Sequence, residues 1–156
     1  MLVVPLLYVL AVPESAEQLT LASPPPPEKQ ALWTAIDDLR RTIVMLDAML
    51  AVQPKRRPFS WVSRQKKRHE QRLVKITKKL GYGEPPVLWR ADQFVPPRSR
   101  AEGCAQAKRQ ELRNAAIYET SLGVVKAPSA RAHLRRMLQK TRYRHLVTFE
   151  ACIAAT

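Results

Sequence analysis

The stretch LWTAIDDLRRTIVMLDAML, residues 32–50, decides the fold. Leu32, Ile36, Leu39, Ile43, Leu46 and Leu50 step through it by 4, 3, 4, 3 and 4 residues. That alternation holds one apolar face in phase over about five turns of α-helix. Pro54 and Pro58 end it, because proline lacks the N–H and crowds the preceding turn. The same period then recurs three times. A second helix is predicted over 58–80, with Phe59, Val62, Leu73, Ile76 and Leu80 on one stripe and Gly81 as its terminating glycine. A third covers 100–122, with Cys104, Ala107, Glu111, Ala115, Tyr118 and Leu122 in phase. A fourth follows a short turn at 123–128, capped by Ser129, with Leu134, Leu138, Thr141, His145, Thr148 and Cys152 on its stripe.

Residues 82–99, with Pro85, Pro86, Pro96 and Pro97, form a long connection that Trp89 and Phe94 pin in place. Two helical hairpins joined by one long crossover make an all-α antiparallel four-helix bundle, spanning 28–156. The composition agrees. In 156 residues, 46% are hydrophobic and only 4 are glycine, which suits one helical domain rather than a turn-rich β-sandwich. Two cysteines exclude a disulfide-dense miniprotein and a four-thiolate zinc site. No nucleophile triad, P-loop or dinucleotide fingerprint is present.

Residues 1–12 are apolar and the first basic residue is Lys29. The run is too short to span a bilayer, for which about 20 residues are needed. It has the character of a signal-peptide core with a small-residue cleavage site near Ala22, yet lacks a basic leader. An exported or periplasmic location and a cytoplasmic one both stay open. Pro24 to Pro27 then form a stiff linker.

Three positions on the interior stripes hold a histidine or a carboxylate: His69, Glu111 and His145. Lys66 precedes His69 by three residues and Arg142 precedes His145 by three, so each cation shares a face with its histidine. Counted outward from the two hairpin turns, Leu39 and His69 lie at one depth, as do Glu111 and His145. All four helices therefore address one level of the interior. His133, in the first turn of the last helix, reads as solvated.

This layout resembles the ferritin-like superfamily, in particular small bacterial rubrerythrin-related domains of unassigned function. The resemblance is carried by Ala35-Ile-Asp-Asp-Leu-Arg-Arg, Pro58-Phe-Ser-Trp-Val with Arg68-His69, Glu111-Leu-Arg-Asn-Ala-Ala-Ile-Tyr118 and His145-Leu-Val-Thr-Phe149, over about residues 30–152. It implies a di-iron centre built from a Glu on each of two helices and Glu-x-x-His on the other two. On that pattern Glu111, His69 and His145 keep ligand positions. Leu39 stands where the first glutamate would be, with Asp38 about 100° out of phase. Lys66 and Arg142 replace the two others. Four carboxylates would neutralise two divalent ions, whereas one carboxylate between two cations repels them. The expectation is a degenerate metal centre with no cofactor, in which Lys66, helped by Arg142, forms an internal ion pair with Glu111. The alternative is a residual iron site at His69, Glu111 and His145 with oxidase-type chemistry.

Cys104 lies seven residues before Glu111 and Cys152 seven after His145. On antiparallel neighbours the two thiols then share a level about 10 Å further along, where a disulfide can close the hairpin if the protein is exported. The formal charge is +14, and eleven Lys or Arg against one acid fall between Lys55 and Lys79. Arg64, Lys67, Arg68, Arg72, Lys75, Lys78 and Lys79 can occupy the outward face of the second helix. Arg131, Arg135, Arg136, Lys140, Arg142 and Arg144 form a second basic group on the fourth. Such faces admit a polyanionic partner, nucleic acid or an anionic membrane surface, through counterion release. A second copy of the chain is the other partner class. No nucleic-acid motif accompanies them.

Overall fold

The computed structural model describes residues 24–52 and 57–155. The apolar run read as a signal-peptide core lies outside the described residues. The chain is all-α, with no strand among the described residues. Helix α1 spans Pro27–Val52, α2 Phe59–Lys79 and α3 Arg100–Val124. Helix α4, Pro128–Lys140, runs through a π-turn at Thr141–His145 into α5, Leu146–Ala154, as one continuous rod. The crossover between α2 and α3 holds only a 3-10 turn at Ala91–Gln93.

Local chemistry places the ends. Gly81 sits at φ 75°, which an L side chain resists, and Tyr82 N donates to Thr77 O at 3.0 Å to close α2. Ser99 caps α3 by accepting from Glu102 N at 3.1 Å. The Ser129 cap is not used. Pro128 starts α4 two residues earlier, with Ala127 as N-cap, because proline needs no partner at a first helical position. Glu28, at the start of α1, supplies the missing acceptor: its Oε1 takes Lys126 N at 2.9 Å and Ala127 N at 2.7 Å.

Cross-links show how the helices run. Asp47 accepts from Ser63 Oγ and Arg40 Nε reaches Glu70, so α1 and α2 are antiparallel. Ser121 Oγ donates to Ala31 O while Gln110 Nε2 donates to Asp38, so α1 and α3 are antiparallel too. Phe59 stacks near Phe149 and His69 near His133, which pairs α2 with the last rod. The core divides into two apolar clusters. One holds Leu32, Ile36, Leu39, Leu73, Tyr118 and Leu134, and the other Met45, Leu46, Phe59, Val62, Cys104 and Phe149. A polar layer lies between them.

The crossover is held mainly by α1. Buried Arg40 donates to Pro85 O at 2.7 Å and pairs with Glu84 as well as Glu70. Trp89 Nε1 donates to Asp37 at 2.9 Å, and the ring lies 6.2 Å from that of Phe94.

Candidate functional site

Lys66 and Glu111 meet in the polar layer. Lys66 Nζ lies 2.8 Å from Glu111 Oε2, and both side chains are 1% exposed. His145 Nδ1 stands 3.1 Å from the same oxygen. Burial alone would raise the Glu111 carboxyl, but the Lys66 charge and the His145 hydrogen bond outweigh it and hold the group ionised, below its ordinary value. His145 is shifted down by burial, which its bond to Glu111 only partly offsets, so the ring is neutral. An ionised carboxylate only accepts, which makes Nδ1 the protonated nitrogen of His145. The Trp61 ring meets His145 edge-on, 5.5 Å between centroids.

Polar groups from α1 and α3 that carry no pattern in the sequence surround the lysine. In the orientation its neighbours require, the Asn114 amide donates to Asp38 and Thr42, and its oxygen accepts from Lys66 Nζ at 2.6 Å. Asp38 also accepts from Gln110 Nε2 at 3.1 Å and from Arg113 Nε at 2.9 Å. Its carboxyl is raised by burial, against these donors. Lys66 further lies 5.7 Å from the centroid of the Tyr118 ring. The Tyr118 hydroxyl is driven above its ordinary value by burial and by Glu111 and Asp38.

The structure corrects three expectations here. Arg142 does not approach Glu111: it is 47% exposed and pairs with Glu119. First-helix participation comes from Asp38 and Thr42 rather than from the level of Leu39, which stays in the apolar cluster. His133 is buried, not solvated. Its Nε2 faces His69 O at 3.2 Å, and the two rings stand 5.2 Å apart. The His69 ring packs against that of His133 and makes no hydrogen bond to Glu111 or His145 among the described residues. Among the described residues, no three His, Cys, Asp or Glu side chains come together as a set able to hold a metal ion. Cys104 and Cys152 do come together and form a disulfide, with Cα atoms 6.1 Å apart. Arg64, Lys67, Arg68, Arg72, Lys75, Lys78 and Lys79 are all exposed along α2. Two of them are neutralised by acids, Lys67 by Asp47 at 2.7 Å and Lys78 by Glu84 at 2.8 Å.

The histidine pair carries a pH dependence. Burial, then the neighbouring His133, Lys140 and Lys66, depress His69 to about 3. Burial depresses His133 to about 4, with Arg136, Arg72 and Lys140 adding to it against the bond to His69 O. The unfolded chain takes up these protons first, near pH 6.5. Stability is therefore full above that pH and falls with pH down to about 4 for His133 and about 3 for His69. Urea midpoints measured from pH 7.5 to 4.5 are expected to fall less steeply in His133→Gln than in the parent. Parallel curves would remove the pair from the account.

No protein-family model matches this chain, and no curated protein matches it in sequence. Among solved structures, a conserved hypothetical protein, Rv2844, from Mycobacterium tuberculosis superposes with a TM-score of 0.73 at 15% identity, covering 83% of this chain and 92% of that one. At that identity the likeness establishes a shared all-α fold and carries no chemistry across.

Proposed function

We propose that this chain is a ferritin-like four-helix bundle whose di-iron centre has given way to an internal ion pair, leaving a non-catalytic structural or interaction module. The observation that carries this reading is the Lys66 ammonium on Glu111 Oε2 at 2.8 Å, deep in the polar layer. The residues present do not fit a di-iron centre. A fixed cation occupies the Glu111 carboxylate, the His69 ring packs against His133 rather than bonding Glu111, and Arg142 lies outside. A divalent ion at Glu111 would have to displace an ammonium already matched in charge and hydrogen-bonded by Asn114.

Elemental analysis of protein purified without chelator tests the reading. Iron, zinc and manganese are each expected well below one per chain, on the order of 0.1 or less, for a site lacking its carboxylates. Stoichiometric metal would overturn it and favour the iron-binding alternative at Glu111 and His145. A Lys66→Glu variant sharpens the result, since it removes the cation and adds a carboxylate three residues before His69. That variant is expected to take up divalent metal more than tenfold better than the parent. Equal uptake by both would count against the ion pair as the obstacle.

A further inference from the structure

Away from the buried pair, α1, α3 and the crossover enclose a concavity open to solvent. Arg41 and Met45 enter it from α1, Arg109, Gln110 and Arg113 from α3, and Phe94 from the crossover. Its volume is about 360 Å³. Arg41 and Met45 are four residues apart, as are Arg109 and Arg113, so each pair stands on one helix face. Antiparallel packing of α1 on α3 turns those faces toward each other.

Three guanidiniums thus converge on one cavity. Among the described residues a single carboxylate reaches them: Asp38 Oδ1 accepts from Arg113 Nε at 2.9 Å. Arg109 has no ion-pair partner among the described residues. Arg41 is held over the Trp89 ring, 5.3 Å from its centroid, and its Nε is buried with no hydrogen-bond partner among the described residues. A fold with no use for these charges would let them spread into solvent. Here stacking on Trp89 fixes one, and a buried carboxylate fixes another.

We propose that this cavity binds a phosphomonoester, with Arg41, Arg109 and Arg113 clamping the phosphate and Phe94 and Met45 receiving its organic group. The charge decides among anions. Three cations less Asp38 leave two positive charges, which match the −1.5 to −2 or so of a phosphomonoester near neutrality and exceed that of a carboxylate. Guanidinium forks suit the tetrahedral oxygens, and Gln110, itself bound to Asp38, keeps that carboxylate turned inward. Size decides among phosphates. The cavity sits at the small end of the ligand-site range of roughly 300–1,000 Å³, room for one phosphate and a small ring and none for a polymer backbone. None of its three arginines touches Lys66 or Glu111, and the site adjoins the ion pair through Asp38, which Arg113 and Asn114 share.

Isothermal titration of the full chain with phenyl phosphate, inorganic phosphate and benzoate tests the proposal. Phenyl phosphate is expected to bind saturably, one per chain, about tenfold more tightly than benzoate and several-fold more tightly than inorganic phosphate. Arg109→Glu, at an exposed position without an ion-pair partner among the described residues, is expected to weaken it by more than tenfold. Arg135→Glu on α4, the same charge change, is expected to leave it within about twofold. Phe94→Ser is expected to erase the preference for phenyl phosphate while leaving inorganic phosphate unchanged. Unsaturable binding by the parent, or equal losses in Arg109→Glu and Arg135→Glu, would overturn the site and attribute binding to net charge.

Discussion

Glu111→Gln is expected to destabilise the protein by about 3–5 kcal/mol, among the largest effects any single substitution outside the apolar core can have. The change is nearly isosteric, so no cavity explains the loss. It removes the only negative charge bonded to Lys66 among the described residues, leaving an ammonium 1% exposed to water. Asn114 offers that ammonium a neutral oxygen, which solvates but does not neutralise it. Lys66→Met is expected to cost less. It leaves Glu111 with His145 Nδ1 at 3.1 Å, and the ring can take a proton and become the counter-ion. The decisive variant is the double one, Lys66→Met with Glu111→Gln. Removing both charges of a buried pair is often neutral or stabilising, so most of the single-site loss should return. A coupling of about 2 kcal/mol or more between the two positions is expected from chemical denaturation of the four proteins. Additive losses would mean that Lys66 reaches water and that the pair is not what holds the layer together.

The Lys66–Glu111 meeting was legible because both residues interrupt apolar stripes whose phase is fixed by the hairpin turns. Histidine 69 shares the Lys66 face yet goes elsewhere, and the difference is reach. A lysine extends far enough from α2 to cross the bundle to α3, whereas an imidazole stops at the adjacent helix and finds His133. Asp38 was misjudged, and Thr42 went unremarked, because α1 packs on both α2 and α3. A helix with two neighbours buries a wider arc than one stripe, so a residue about 100° from Leu39 is still inside. Arg142 was misplaced by the π-turn. Its extra residue per turn advances the phase, so Met137, Thr141, His145 and Phe149 line up at intervals of four and Thr148 gives way to Phe149. That run of fours was in the sequence, but Leu138 and Thr148 satisfy an ordinary helix equally well. The arginine cavity had no sequence signal, because its residues come from three segments and only the fold assembles them.

Reduction or removal of the Cys104–Cys152 bridge is expected to lower stability by a comparable amount for an unrelated reason. The bridge closes a loop across a sequence separation of 48. Loop-closure entropy for a loop of that length amounts to about 4 kcal/mol in the unfolded chain. Cys104 and Cys152 are both buried beside Phe59 and Phe149, so a Cys104→Ala/Cys152→Ala pair loses some packing as well. For a domain of this size the thermal midpoint should drop on the order of 12 °C. Reduction of the unaltered protein separates the two contributions, because the thiols keep their volume: a drop close to that of the double variant identifies the cross-link as the cause. A shift of under about 2 °C on reduction, with both thiols confirmed free by mass, would place the stability of this end of the bundle in its apolar cluster instead. The bridge also bears on the ion pair. It ties α3 to α5 seven residues from Glu111 on one strand of the hairpin and seven from His145 on the other, fixing the register in which those two side chains meet. Loss of the bridge should therefore weaken the Lys66–Glu111 coupling measured by the double-mutant cycle, whereas a purely local cross-link would leave that coupling intact.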